Sequence, residues 1–433
     1  MEKATFFWFR RDLRLEDNVG LYNALKTSRN VIPVFIFDSN ILSELPENDA
    51  RVSFIYDRLT FLDQELRKMG SSLLVRIGEP EKVWEQLITE FSAEALYTNR
   101  DYEPYALERD QKIEEICNHN GIQFRSFKDQ VIFEMDEILK DDGTPYTVFT
   151  PFKNKWLSRF QMEPIQPMGV ISASHFSQKQ FEFPDLHAIG FKRSLIEVRD
   201  FDLSQVKKYD QIRDLPAIDG TSYLSPHLRF GTIGIRQLVG EVKSQNSVFL
   251  SELIWREFFM QILYHFPKSI HENFRAKYNE IEWRNKEEEF EKWKRGITGY
   301  PMVDAGMRQL NQTGYMHNRV RMVTASFLCK HLLIDWRWGE AYFAQKLLDY
   351  DLSANVGNWQ WAAGTGCDAA PYFRVFNPTE QQKKFDPKGE YIRRWIPELE
   401  GFGYPEPMVE HKFARERALK VYKVGIEEYE NQQ

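Results

Sequence analysis

The chain has 433 residues, a formal net charge of −7 at pH 7 and 15% aromatic residues, among them 11 Trp and 33 Phe. Its length exceeds one comfortable hydrophobic core, so two domains are expected, and its negative charge excludes a protein that binds polyanions through overall charge. Three cysteines, Cys117, Cys329 and Cys367, lack C-x-x-C spacing, which argues against a disulfide framework or a zinc site and favours a reducing cytoplasm.

The N-terminal region alternates short apolar runs with amphipathic stretches. The runs predict β-strands at 5–9, 31–37, 72–77, 95–99 and 122–127. Helical spacing at 52–69 and 81–91 predicts the crossover helices of a parallel sheet. We therefore expect a five-stranded, parallel, doubly wound α/β domain at residues 1–128. The N-terminus lacks the apolar core of a signal peptide and no apolar run is long enough to cross a bilayer, so we expect a cytoplasmic protein.

Residues 129–204 indicate a long interdomain linker, because Asp141-Asp142-Gly143 and several prolines interrupt the periodicity. Within it, Thr150 and Pro151 predict a helix start with Thr150 as the N-cap. Helical periods dominate farther along, at 248–266, 302–312, 316–334 and 340–348. Residues 205–433 are therefore predicted to form an all-α domain.

The segment from Asn355 to Trp361 combines an amide, Gly357 and two indoles, and it follows the acids Asp349 and Asp351. A Trp ring needs a large apolar pocket, and Gly permits close approach of the backbone. We interpret the segment as a Gly-broken turn that cradles a ligand. An ordinary helix-capping turn with core tryptophans is the alternative.

Helical spacing places polar and aromatic side chains together on two helix faces. Glu252, Trp255, Arg256 and Phe259 share one face of the helix at 248–266. The helix predicted at 316–334 repeats this spacing with Asn318, Arg321, Met322 and Ala325. Arg319 is turned about 100° away from that face, where we expect it to meet phosphate. The hydroxyl-rich segment from Thr221 to His227 predicts a helix start that suits phosphate. A salt-bridged aromatic core and a plain N-cap are the alternatives.

Six segments together resemble the DNA photolyase/cryptochrome family, most closely its class I cyclobutane pyrimidine dimer (CPD) photolyases. The segments are Trp-Phe-Arg-Arg-Asp-Leu-Arg-Leu-Glu-Asp-Asn at 8–18, Thr-Ser-Tyr-Leu-Ser at 221–225, Glu-Leu-Ile-Trp-Arg-Glu-Phe at 252–258, Thr-Gly-Tyr-Pro at 298–301, His-Asn-Arg-Val-Arg-Met at 317–322 and Asn-Trp-Gln-Trp at 358–361. As a set they are highly specific and cover nearly the whole chain. The resemblance implies an α/β antenna domain, a linker and a helical domain that encloses FAD.

The resemblance assigns a set of residues to FAD, active as FADH⁻. This set is Tyr209, Thr221, Ser222, Tyr223, Leu224, Ser225, Glu252, Arg256, Asn318, Arg321, Asp349, Asp351 and Asn355. Within it Arg321 is paired with the acids, and Asn355 faces flavin N5. A neutral amide can accept a hydrogen bond from a protonated N5 and therefore suits a reduced flavin. Plant-type cryptochromes resemble this segment but carry Asp there, so Asn355 favours a repair enzyme.

The implied activity is that of a deoxyribodipyrimidine photo-lyase: light-driven electron transfer from FADH⁻ to a CPD that is flipped out of single- or double-stranded DNA. The catalytic residues implied are Glu252, Trp255, Met322, Asn355 and Trp361. The indoles would wall the dimer cavity, and Glu252 would hydrogen-bond the pyrimidine carbonyls. Photolyases for the (6-4) lesion place histidines in this cavity, which Met322 and Trp361 do not fit.

A second set of indoles, Trp283, Trp336 and Trp359, matches the family's electron relay between flavin and surface. Indoles oxidise more readily than aliphatic side chains, so an electron can hop inward to an oxidised flavin. For Trp283 and Trp336, structural packing is the alternative.

DNA contact is assigned by the resemblance to Lys153, Arg213, Trp255, Arg319, Trp361, Arg374 and Lys384. Phosphate contacts give affinity without sequence preference, and that affinity should depend strongly on salt. We expect a monomer with no metal site and no membrane partner.

The antenna chromophore stays open. Folate-binding members carry an Asn-Glu pair where this chain has Tyr105-Ala106, which argues against folate and leaves a deazaflavin, another chromophore or none.

Two other functions also stay open. A cryptochrome-type blue-light photoreceptor would use the same flavin and relay to signal to a partner, and Asn355, the dimer-cavity residues and the short stretch after Lys412 argue against it. A non-catalytic nucleotide-binding or DNA-binding module would not explain the tryptophans.

Overall fold

The chain forms two compact units in a computed structural model, which describes residues 3–163, 165–169, 173–401 and 403–432. The first unit contains Met1–Ile138, Trp156–Phe201 and Tyr223–Ser244, and the second contains Leu139–Lys155, Asp202–Ser222 and Gln245–Gln433. Both units take segments from the region around the predicted linker. The predicted limits at 128 and 205 remain predictions.

One parallel sheet organises the first unit. Its strands are β1 (Ala4–Phe9), β2 (Val31–Asp38), β3 (Leu74–Gly78), β4 (Ala93–Asn99) and β5 (Gln123–Phe127). Their order across the sheet is β3-β2-β1-β4-β5, and every neighbouring pair is parallel. The predicted five-stranded parallel sheet is confirmed, with each strand within two residues of its predicted limits.

Eighteen α-helices occur in the described part of the chain, in both units. They are α1 (Val19–Thr27), α2 (Ser39–Leu42), α3 (Ala50–Lys68), α4 (Pro80–Phe91), α5 (Pro104–His119), α6 (Phe149–Met162), α7 (Tyr209–Ile212), α8 (Leu224–Arg229), α9 (Ile235–Val242), α10 (Ser247–His265), α11 (Glu287–Arg295), α12 (Pro301–Thr313), α13 (Asn318–Ser326), α14 (Trp336–Lys346), α15 (Leu352–Ala363), α16 (Pro378–Phe385), α17 (Glu390–Trp395) and α18 (His411–Gln432). The second unit is helical, as predicted. None of the helices in the described ranges is both long and apolar enough to cross a membrane.

The two faces of the sheet bury alternate residues of each strand, as strand geometry requires. Phe7 and Phe9 of β1 pack on one side with residues of α3, whereas Phe6 and Trp8 pack on the other with residues of α4. Both faces are therefore covered, which explains why the strands read as continuous apolar runs. This is the doubly wound arrangement predicted from the sequence.

The interpretation of Asn355 to Trp361 as a Gly-broken turn is wrong, because the segment lies within α15. Asp351 caps that helix by accepting a hydrogen bond from the Ala354 backbone N–H at 3.2 Å. A Cβ on Gly357 would lie 2.2 Å from a ring atom of Phe259 on α10. Gly357 therefore serves close packing of two helices and does not break one.

Two predicted helix limits also need correction. The helix at 149 begins at Phe149, whose backbone N–H donates to the Asp368 carboxylate at 3.0 Å. Thr150 is therefore not its N-cap, because a carboxylate distant in sequence meets the first N–H group. The helix predicted at 316–334 is α13 followed by a π-helical turn at Phe327–His331.

A buried ion network holds the first unit together. Asp129 accepts hydrogen bonds from Arg14 and from Arg236, each at 2.7 Å, and Arg236 also donates to Asp17 at 2.8 Å. The Asp129 side chain is only 1% exposed. Burial on its own raises the pKa of Asp129, but the two guanidinium groups outweigh it and the net pKa is lowered. Asp129 is therefore ionised and paired in the folded protein.

Replacing Asp129 by Asn should destabilise the first unit by about 3–5 kcal/mol, because two buried guanidinium groups lose their shared counter-charge. Glu90→Gln is the control, since its pair with Arg76 at 3.3 Å is exposed, and it should cost less than about 1 kcal/mol. Urea unfolding followed by circular dichroism measures both. The contribution of Asp129 is present above its unfolded pKa of about 3.9 and is lost as pH falls through the lower folded pKa. Equal stability of the two variants at neutral pH would contradict this role.

Candidate functional site

A cavity in the second unit brings together eight of the residues selected from the sequence. They are Asn318, Arg321, Met322, Asp349, Asp351, Asn355, Trp359 and Trp361. Ala325 also lines the cavity, so the stripe predicted on α13 does face a pocket. The sequence assigned no role to the other lining residues, Phe343, Leu347, Tyr350, Ala354, Asn358 and Ala362. The cavity is thus built from α13, α14, α15 and the turn that precedes α15.

A fixed guanidinium group stands at one side of this cavity. Arg321 donates to both oxygens of Asp349, at 3.2 and 2.9 Å, and its Nε donates to the Met316 carbonyl at 2.8 Å. Such a bidentate pair holds both the position and the plane of the guanidinium. Arg321 therefore presents positive charge in one orientation before any ligand binds.

The start of α13 depends on a neutral histidine. The Nδ1 atom of His317 accepts a hydrogen bond from the Arg319 backbone N–H at 3.2 Å. Burial, together with nearby arginines, lowers the pKa of His317 to about 4. Its ring is therefore unprotonated at neutral pH, as an accepting Nδ1 requires.

Asn355 is held by two acceptors from one residue. Its Nδ2 donates to the Glu340 carbonyl at 3.1 Å and to the Glu340 carboxylate at 2.8 Å. Both hydrogens of the amide nitrogen are thereby used, so the Oδ1 atom is the part of the amide left to accept a hydrogen bond in the cavity. Sequence reasoning missed Glu340 because it lies on α14, outside every segment that carried the resemblance.

The three indoles of the predicted relay belong to one hydrophobic core. Trp359 lines the cavity and is 2% exposed, Trp336 is fully buried, and Trp283 is partly exposed and packs against the same core. The Trp359 ring lies against α14 at Gly339, where a Cβ would come within 2.1 Å of it. Gly339 is one turn from Trp336. Trp359 and Trp336 are therefore both buried, and only Trp283, the last indole of the predicted relay, reaches the surface.

The three site residues predicted on α10 lie outside this cavity lining. Trp255 stacks on Phe149 with ring centroids 3.6 Å apart and planes at 9°. Glu252 forms an ion pair with Arg213, in which Nη1 and Oε1 are 2.5 Å apart. Arg256 follows one turn later on α10. Phe149 was missed because it comes from a segment about a hundred residues distant in sequence.

A helix does start within the predicted FAD-phosphate segment, three residues after Thr221. Helix α8 begins at Leu224, and Tyr223 before it has a left-handed φ of 51°. Thr221 hydrogen-bonds Tyr315, and Tyr209 packs edge-on against Phe249 at 5.0 Å. Thr221 and Ser222 belong to the second unit, whereas Tyr223, Leu224 and Ser225 belong to the first.

Two of the predicted DNA-contacting cations flank one aromatic ring. The Arg319 guanidinium lies 4.2 Å from the Phe385 ring centroid, and the Lys384 ammonium lies 5.1 Å from it. Arg319 also pairs with Asp214 at 2.7 Å. This clusters positive charge locally on a chain whose net charge is negative.

The remaining predicted cations sit beside other rings. Lys153 lies 5.8 Å from the ring of Phe149, the residue that stacks on Trp255. Arg374 is exposed beside Phe376, with its guanidinium 5.2 Å from the ring centroid.

Comparisons with known proteins place the chain in a family. A family model described as DNA photolyase matches residues 5–169, and one described as the FAD binding domain of DNA photolyase matches residues 249–403. The chain is 37% identical to the deoxyribodipyrimidine photo-lyase of Synechococcus, across 98% of this chain and 97% of that protein. It is 38% identical to that of Vibrio cholerae, across 96% and 99%.

Three solved structures are also similar over nearly full length. A class III photolyase from Agrobacterium tumefaciens superposes with a TM-score of 0.86 at 35% identity and 98% coverage of both chains. An archaeal photolyase from Sulfolobus tokodaii with two FAD molecules gives 0.83 at 39% identity, with 97% and 99% coverage. A cryptochrome from Synechocystis gives 0.82 at 27% identity, again with 97% and 99% coverage.

The cavity residues fit the FAD that the second family model names. A flavin needs apolar walls and a few fixed polar groups. Trp359 and Phe343 supply wall surface, Arg321 supplies a fixed donor, and Asn355 supplies an oriented acceptor.

Glu340→Leu should leave FAD bound but disfavour its reduced form by about 1 kcal/mol, because the Asn355 amide loses one of the acceptors that orient it. Glu340→Gln keeps an acceptor oxygen, so its flavin potential should be close to that of the wild type. The midpoint potential of the bound flavin, measured by equilibration with a reference dye, reports this independently of catalysis. A potential unchanged in Glu340→Leu would refute the orienting role.

Proposed function

Because the chain belongs to the DNA photolyase family, we propose that it is a class I CPD photolyase, which splits cyclobutane pyrimidine dimers in DNA with light and reduced FAD. The observation that carries this proposal is the oriented Asn355 amide in a cavity that Met322 and Trp361 also line. An amide that presents its oxygen suits a protonated flavin N5, and Met and Trp side chains suit pyrimidine rings.

When bound, reduced FAD excited by blue light supplies the electron that opens the cyclobutane ring and then takes it back. The chain's own residues bind, orient and exclude water. Arg321 is held by Asp349, so it can balance negative charge at the ring system without reorganising. Trp359 and Phe343 pack edge to face at 4.9 Å and keep water from one wall.

The lesion would be recognised by stacking and by one carboxyl group. Trp361 is half-buried and lines the flavin cavity, which leaves part of its indole for a pyrimidine. The Trp255 indole is held in one plane by Phe149, so stacking on its remaining surface costs little ordering. Glu252, three residues before Trp255 on α10, would hydrogen-bond the pyrimidine carbonyls.

Binding to the DNA backbone would come from Lys153, Arg213, Arg319, Arg374 and Lys384. Phosphate contacts of this kind position a duplex without reading its sequence. Because the chain carries a net charge of −7, these cations must provide the attraction, and affinity should fall steeply with salt.

A folate antenna is not part of the proposal. Tyr105 stands where folate-binding relatives carry Asn, and its hydroxyl donates to Asp38 at 2.6 Å, so this position serves a contact within the first unit. The two FAD molecules of the Sulfolobus photolyase make a flavin another candidate for a second chromophore.

The direct test is loss of cyclobutane dimers from an irradiated oligonucleotide, under blue light and in the dark, with chemically reduced protein. Light-dependent repair supports the proposal. A flavin-loaded protein that repairs nothing would favour a photoreceptor, a function that the similarity to the Synechocystis cryptochrome keeps in view.

Glu252→Ala and Trp361→Ala should each lower repair about tenfold or more while retaining flavin, because a lost base–aromatic contact or carbonyl contact weakens dimer binding. Tyr264→Ala, on the same helix as Glu252, is the control and should repair normally. Repair yield per absorbed photon and flavin absorbance are the measurements. Wild-type repair by both site variants would disprove these assignments.

Trp359→Phe should slow photoreduction of oxidised FAD at least tenfold but spare repair once the flavin is reduced chemically, since phenylalanine is much harder to oxidise than indole. Trp338→Phe is a matched control, because that indole packs on Phe290 outside the proposed relay. Flavin absorbance during illumination with an external reductant measures the rate. Photoreduction at the wild-type rate in Trp359→Phe would exclude the relay.

A further inference from the structure

Two residues that are assigned to different partners form an ion pair with each other in the DNA-free protein. Arg213 is assigned to DNA phosphate and Glu252 to the lesion, yet Arg213 Nη1 lies 2.5 Å from Glu252 Oε1. The two side chains are 24% and 34% exposed, so the pair is within reach of a ligand. Each group therefore offsets the charge that the other would present to its proposed partner.

Opposing influences act on the pKa of Glu252. Burial raises the pKa of Glu252, Arg213 opposes that rise by charge and hydrogen bonding, and Asp214 adds to it. The Tyr209 phenol lies on the same side, with its ring 5.2 Å from the Arg213 guanidinium, and Arg256 follows one turn later on α10. The α15 residues packed against α10 include no ionisable side chain. Arg213 is therefore the main group that keeps Glu252 ionised.

Hydrogen bonding to a pyrimidine carbonyl requires the opposite state. A carbonyl oxygen only accepts, and an ionised carboxylate also only accepts, so the contact forms only if Glu252 carries a proton. Phosphate is a strong competitor for Arg213, because a guanidinium group binds it with two parallel hydrogen bonds.

We propose that Arg213 is a positioning residue that exchanges Glu252 for a DNA phosphate when the lesion binds, and that Glu252 then takes up one proton and donates it in a hydrogen bond to the pyrimidine carbonyl. The inference rests on the proposed function. The proton comes from solvent, and one O–H bond forms on Glu252. Arg213 keeps its charge and one anionic partner throughout.

Arg319 provides a matched comparison within the same unit. It is also a predicted phosphate contact and is also paired with a carboxylate, but its partner is Asp214, at 2.7 Å. Releasing Arg319 therefore leaves Glu252 with its own counter-charge. His317 beside it does not titrate near neutral pH, because burial lowers its pKa to about 4.

The test is dark binding of the FAD-loaded protein to a fluorescent oligonucleotide, irradiated or not, between about pH 5.5 and 8.5. Because binding takes up one proton, affinity for irradiated DNA should fall as pH rises, by up to about tenfold per pH unit over part of this range. The Gln amide of Glu252→Gln donates a hydrogen bond without first taking up a proton. This variant should therefore keep its affinity for irradiated DNA and lose the pH dependence. Arg213→Gln should weaken binding and reduce the pH dependence, because the pKa of Glu252 is then higher and a larger fraction of it is protonated before DNA arrives. Arg319→Gln should weaken binding but keep a pH dependence, which shifts to higher pH because Asp214 loses its counter-charge and raises the pKa of Glu252 further.

The outcomes separate this inference from the proposed function. A preference for irradiated DNA that does not vary with pH, or a pH dependence that survives in Glu252→Gln, overturns the exchange. No preference for irradiated DNA at any pH overturns the photolyase proposal itself. Flavin absorbance of each variant reports that it is folded.

Discussion

The close packing of α15 against α14 and α10 is the constraint on which the site depends. Gly339 admits the Trp359 ring and Gly357 admits the Phe259 ring, and a Cβ at either position would overlap an aromatic carbon. This approach brings Asn355 within hydrogen-bond distance of Glu340 and sets Trp359 against the cavity. A larger residue at either glycine would displace the whole row of α15 side chains, because a helix moves as a rigid element.

Ion pairs then fix the charged groups that are assigned to the proposed ligands. Arg321 is held by Asp349, Arg213 by Glu252 and Arg319 by Asp214. Each cation is ordered before a ligand arrives, which lowers the entropy cost of binding. The same pairing offsets the charge of these arginines in the free protein. Its acids are placed beside its functional arginines, and an anionic ligand must compete with them.

Much of the fold was predictable because it depends on local patterns. Continuous apolar runs gave the five parallel strands, and spacing of three and four residues placed Asn318, Arg321 and Met322 on one pocket wall. Local patterns also misled, since Gly357 looked like a helix breaker. Its reason for being glycine is Phe259, about a hundred residues earlier in the chain. Glu340, Phe149 and Asp368 were missed for the same reason: each acts through a contact that no spacing rule encodes.

The first unit is assembled from segments that lie far apart in the chain, and this has a consequence for synthesis on the ribosome. Arg236 completes the buried network with Asp17 and Asp129, but it comes more than a hundred residues after the last strand of the sheet. The nascent sheet therefore emerges with two buried acids and only Arg14 to neutralise them. It must wait for α9 to leave the exit tunnel, by which time the second unit has begun to be made. Translation speed across the intervening residues thus sets how long an incomplete core is exposed to chaperones and proteases.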